Sequence, residues 1–122
     1  MSTTIIRDMS FEAAHYLPKT PPGHKCRQMH GHSYTCEVQV TRPVDGESGW
    51  VCDFADLRQA FEPVRLALDH HVLNEVPGLE NPTSENIARW IWERLAAGVA
   101  GLSAIVVHET PTSRCVYTGP DA

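Results

Sequence analysis

The sequence points to an α+β fold, a mainly antiparallel sheet with two helices packed over one of its faces. Three features carry that expectation. Residues 32–41, HSYTCEVQVT, alternate with the period of a half-buried strand. Two later segments place apolar residues three and four apart, the spacing of amphipathic helices. The stretches also follow in the order β-β-β-α-α-β-β, which is not the strict alternation that builds a parallel sheet.

The first strand covers 3–15 and ends in FEAAH. The next stretch, PKTPPGHKC, holds three prolines and a glycine and reads as a loop. In the second strand His32, Tyr34, Cys36, Val38 and Val40 share one face, and Ser33, Thr35, Glu37 and Gln39 the other. A turn at PVDGESG leads into WVCDF, so 32–53 predicts a β-hairpin. Asp53 is placed to cap the first helix, whose apolar positions are Phe54, Leu57, Phe61, Val64 and Leu68. Pro63 falls inside that pattern and predicts a kink or a division. After the loop LNEVPGLENP, Thr83 caps a second helix with Ile87, Ile91, Leu95 and Val99 as its buried stripe, ending near Gly98 and Gly101. SAIVVHET and SRCVYTG are the last two strands, with a turn at Pro111 between them.

A chain of 122 residues is long enough for one core, so 1–122 is read as a single domain. Fifteen acidic against ten basic residues leave a formal charge of −5, which argues against nucleic acid or an anionic membrane as partner. No apolar run has the length of a membrane span, and the N-terminus MSTTIIRDMSFEAAH lacks the pattern of an export signal. The four cysteines form no CxxC pair and are expected to be thiols, which points to the cytoplasm. A small open sheet exposes its edges, and pairing them between subunits is one way to cover them.

The chemistry-bearing residues begin with His30 and His32, two apart at the start of a strand and therefore on one face. Gly31 between them leaves room for close approach of backbone or ligand. Such a pair suits zinc, and His15 supplies a third nitrogen if the first two strands are neighbours. Three imidazoles with no fourth protein ligand describe a catalytic zinc with one open position. Cys26 has three readings on spacing alone: a fourth, sulfur ligand; a base or nucleophile beside the metal; or an ordinary loop thiol. Lys25 and Arg27 flank it with positive charge, which favours a thiolate. Asp69 beside His70 forms an acid–imidazole pair at the end of the first helix, although spacing alone favours simple decoration of the helix terminus. Glu109 shares a strand face with Ile105 and Val107, where a carboxylate needs a partner or a ligand's hydrogen bonds. His108 faces the other way and reads as a surface residue.

Taken in order, FEAAH, CRQMHGHSY, GWVCDFADL, LDHHVLN, PGLENPTSE, WIWE and HET resemble the 6-pyruvoyltetrahydropterin synthase superfamily through nearly the whole chain. The resemblance implies that His15, His30 and His32 hold Zn2+, that Cys26 is a catalytic base, and that Asp69 and His70 are a proton-transfer pair. It makes Glu109 the anchor of a pterin ring. It also implies the tunnelling fold, a homohexamer of two trimers whose strands close into β-barrels, with active sites between subunits. The three residues between Cys26 and the His-Gly-His triplet are similar to the branch that forms a carboxytetrahydropterin for queuosine. Its substrate would be 7,8-dihydroneopterin triphosphate, and its products would include acetaldehyde and triphosphate. The alternatives are elimination of triphosphate alone to a pyruvoyl product, zinc-dependent hydrolysis, and a non-catalytic zinc-binding protein.

Overall fold

The computed structural model describes residues 2–121. Among them, five strands form one sheet, in the order β3-β1-β2-β4-β5. In chain order the elements are β1 (Thr3–His15), β2 (His30–Arg42), α1 (Phe54–Leu68), β3 (His71–Val72), α2 (Ser84–Leu95), β4 (Leu102–Thr110) and β5 (Ser113–Tyr117). The pairs β1–β2, β2–β4 and β4–β5 are antiparallel, and the two residues of β3 run parallel to Ala13 and Ala14.

Alternation along the strands builds the core. Met9, Phe11 and Ala13 of β1, Tyr34, Cys36, Val38 and Val40 of β2, and Ile105 and Val107 of β4 are buried together. Leu57, Phe61, Val64 and Leu68 of α1 and Ile87, Ile91 and Leu95 of α2 belong to the same core. Each such large side chain withdrawn from water contributes about 1.5–3 kcal/mol. Both caps read from the sequence are present: Asp53 accepts from the Ala55 N–H, and Thr83 from the Asn86 N–H. α2 stops at Leu95, so Val99 is buried from the segment beyond it.

Two expectations are corrected. WVCDF is not a strand: the chain turns at Asp45, whose N–H donates to the Trp50 carbonyl at 3.0 Å, and Asp53 already caps α1. A returning strand would also have no ladder to join, because β2 has β1 on one edge and β4 on the other. Pro63 does not divide α1, which is one helix of 15 residues with Phe61 and Val64 buried on either side of the proline. Packing of that stripe outweighs the lost backbone hydrogen bond.

Candidate metal centre and active site

The register of β1 against β2 assembles the histidines. His15 pairs directly with His30, and Ala13 pairs with His32. Partners across a ladder share a face, so His15, His30 and His32 converge at one end of the sheet. Their ring centroids lie 4.5, 5.4 and 5.9 Å apart. In each ring Nδ1 faces a backbone carbonyl: Pro82 at 2.9 Å for His15, Gln28 at 2.8 Å for His30 and Ser33 at 3.2 Å for His32. A carbonyl only accepts, so Nδ1 carries the proton and the Nε2 lone pair is left for a metal.

Glu109 completes the group. One ligand atom from each of His15, His30, His32 and Glu109 can be chosen so that all lie within 4.8 Å of one another. Glu109 Oε1 is 3.3 Å from His15 Nε2 and 3.6 Å from His32 Nε2. His15 is fully buried, and its Nε2 makes no well-directed hydrogen bond. A buried imidazole lone pair facing a carboxylate calls for a shared cation. Three imidazoles with a nearby carboxylate are a donor set suited to zinc, so the residues fit the metal.

Glu109 is also where β4 and β5 slip out of register, between His108 and Thr110. Bulges of this kind re-aim a side chain next to a site. The Ser84 hydroxyl donates to Glu109 Oε2. Where Nε2 of His15 carries a proton in place of a cation, that imidazole and the Ser84 hydroxyl draw the Glu109 carboxyl down to about 2. Ser84, the first residue of α2, was missed in the sequence because a helix-start serine ordinarily signals only a cap. His108, on the opposite face, is paired rather than simply solvated: its Nε2 lies 2.5 Å from Glu37 Oε2.

Cys26 stands in a single 3-10 turn, Lys25–Arg27, pinned from both sides. His24 Nδ1 accepts from the Cys26 N–H at 3.1 Å, the Leu17 N–H donates to the Cys26 carbonyl at 2.7 Å, and Arg27 donates to the Thr20 carbonyl at 2.9 Å. Cys26 lines a cavity of about 850 Å³ with His30, His32, Ser84 and Glu109, but lies outside the four-residue ligand group. All four cysteines are free thiols. A Cβ on Gly31 would meet Ala13 O at 3.5 Å, an ordinary contact, so backbone packing does not demand glycine there.

Asp69 and His70 form a pair, but away from Cys26. Asp69 ends α1 in an extended conformation, and its Oδ1 accepts from the Glu12 N–H at 2.9 Å. His70 then adopts φ +58°, left-handed and costly for a residue with a Cβ, which turns its Nδ1 back to 3.0 Å from Asp69 Oδ2. The His70 N–H donates to the Glu12 carbonyl at 2.5 Å and holds this turn. The Glu12 N–H and then His70 keep the Asp69 carboxyl below the usual range. His70 lines a second, smaller cavity with Glu12, Gly31 and His32, which Cys26 does not reach.

Sheet, helices and imidazole cluster together define an α+β protein with a metal-capable centre at one end of its sheet. The chain belongs to the 6-pyruvoyl tetrahydropterin synthase family, whose model matches residues 4–120. A 6-carboxy-5,6,7,8-tetrahydropterin synthase of Synechocystis is 45% identical over 95% of this chain and 93% of that protein. One of Bacillus subtilis is 32% identical, covering 91% and 82%. A dihydroneopterin monophosphate aldolase of Pyrococcus furiosus is 37% identical, covering 83% and 82%. Among solved structures, the 6-pyruvoyl tetrahydropterin synthase of Caenorhabditis elegans superposes with a TM-score of 0.88 at 30% identity, over 98% of this chain and 97% of its own.

Proposed function

We propose that this protein is a lyase converting 7,8-dihydroneopterin triphosphate and one water to 6-carboxy-5,6,7,8-tetrahydropterin, acetaldehyde and triphosphate, in queuosine biosynthesis. The observation that carries this reading is the shared cavity, where Cys26 stands beside the cluster of His30, His32 and Glu109 but outside its ligand group. The similarity to 6-carboxy-5,6,7,8-tetrahydropterin synthases over nearly the full length supports it.

In this reading His15, His30 and His32 hold Zn2+, which when bound supplies Lewis acidity toward the oxygens of the pterin side chain. Glu109, an acceptor on both oxygens, takes the ring N–H and amino group of the pterin, while Ser84 steadies its Oε2. Cys26, as thiolate, removes a proton from the side-chain carbon next to the ring. His70, oriented by Asp69, moves protons to and from the side-chain hydroxyls. The ring is reduced as the side chain is oxidised, so the electrons balance without an external redox cofactor.

Cys26 and His70 open on different cavities of one chain, which supports a complete site assembled between subunits. Beyond the two residues paired with β3, and Glu12, which Asp69 and His70 engage, the outer edge of β1 is open from Thr3 to Phe11, and β5 forms the other edge of the sheet. Edge pairing that closes trimers into barrels, two per hexamer, covers both. A triphosphorylated substrate and free thiols support a cytoplasmic reaction.

The test is zinc-loaded protein with 7,8-dihydroneopterin triphosphate and an enzymatic assay for acetaldehyde. Acetaldehyde is expected in step with triphosphate. Triphosphate without acetaldehyde would instead establish pyruvoyl chemistry. Cys26→Ala is expected to abolish turnover at unchanged zinc content, and loss of zinc with activity would make Cys26 a ligand.

A further inference from the structure

The proposed reaction assigns no work to Arg65, which lies one turn before Asp69 on α1. Its NH1 donates to Asp69 Oδ2 at 3.3 Å, the oxygen that also faces His70 Nδ1 at 3.0 Å. Glu62 holds the same guanidinium at two points, Nε at 2.9 Å and NH2 at 2.6 Å. A planar fork gripped in this way has little freedom to turn. Asp69 Oδ1 is already taken by the Glu12 N–H. Both carboxylate oxygens are therefore engaged, and Oδ2 is shared between a permanent cation and a titrating imidazole.

An exposed ion pair at this helical spacing ordinarily contributes little. The shared oxygen gives this one a consequence. A free carboxylate would devote its full field to stabilising protonated His70, whereas Arg65 offsets part of that field. The other charged groups around the pair are already engaged. The Glu12 carboxylate on β1 accepts from Ser33 Oγ at 2.7 and 2.8 Å, and His71 Nδ1 on β3 is turned to the Asp69 carbonyl at 2.7 Å. On β2, His32 borders the same cavity as His70.

We propose that Arg65, clamped by Glu62, is a positioning residue for the Asp69–His70 pair, sharing Asp69 Oδ2 so that part of the carboxylate's field on His70 is offset. The inference rests on the proton-transfer role assigned to His70 above. Removing the guanidinium charge moves the acidic limb of the pH–rate profile upward. For unit charges a few ångströms apart near water the displacement is roughly half a pH unit.

The experiment compares the zinc-loaded wild type with Arg65→Gln and Arg65→Lys. Kcat is measured across pH, with KM, zinc content and the titration of the His70 ring resonances, assigned by their loss in His70→Gln. Arg65→Gln is expected to raise both the ring midpoint and the acidic limb, with KM and zinc unchanged, and Arg65→Lys to restore both. An unmoved ring midpoint in Arg65→Gln overturns the proposal, as does a lysine variant indistinguishable from glutamine. A ring midpoint that moves while the acidic limb stays supports the charge sharing and removes His70 from the reaction, so the two failures are told apart. Arg65 is more than a third exposed, and both substitutes suit a helix, so folding is not at stake.

Discussion

Replacing Glu109 by glutamine tests the centre of the site, because it separates the anchoring of a pterin from the holding of a metal. The carboxylate is 29% exposed, receives the Ser84 hydroxyl on Oε2 and presents Oε1 to His15 and His32. As a pterin anchor it accepts two hydrogen bonds from ring N–H groups, each worth about 1.5–3 kcal/mol to a charged acceptor. Glutamine keeps one carbonyl acceptor and sets an amide N–H against the second ring donor. The net loss is then about 3 kcal/mol, on the order of 10² in kcat/KM at 1.4 kcal/mol per decade. The assay is steady-state turnover of dihydroneopterin triphosphate, with zinc per subunit measured on the same samples. Zinc is expected to stay near the wild-type level while kcat/KM falls. Wild-type kcat/KM would refute the anchoring argument. A matching fall in zinc would make Glu109 a metal ligand instead.

Further expectations follow from other parts of the fold. Thr83→Ala removes the side-chain cap of α2 and should cost about 1 kcal/mol in urea unfolding, with Thr83→Asn near wild type. Ile91→Ala empties a fully buried position under the sheet and should cost about 2–5 kcal/mol by the same measurement. On the open face of the sheet, burial pushes the Glu37 carboxyl up, but hydrogen bonds from His108 and Gln39 bring it below its ordinary range. A depressed carboxyl stabilises the fold above its unfolded value and loses that contribution as pH falls through the folded one. Stability should therefore drop on the acid side of the glutamate range, and Glu37→Gln should flatten that part of the pH–stability curve.

What could be read along the chain was whatever depends on near neighbours. The alternation of β2, the buried spacing from Leu57 to Leu68 and from Ile87 to Leu95, and the caps Asp53 and Thr83 rest on backbone geometry within a few residues, and they stand in the structure as expected, whereas Phe54 is exposed and Val99 lies beyond α2. His30 and His32 were legible for the same reason, because a strand's period of two puts them on one face. What spans the sheet was not legible. The β1–β2 register sets His15 opposite His30, and occupation of both β2 edges leaves WVCDF no ladder to join. The left-handed turn at His70, the bulge at Glu109, the reach of Ser84 across to β4 and the sharing of one Asp69 oxygen with Arg65 arise only once distant segments are packed. Local periodicity states which face a side chain takes; convergence on a common point needs strand pairing and helix docking, whose partners lie tens of residues away.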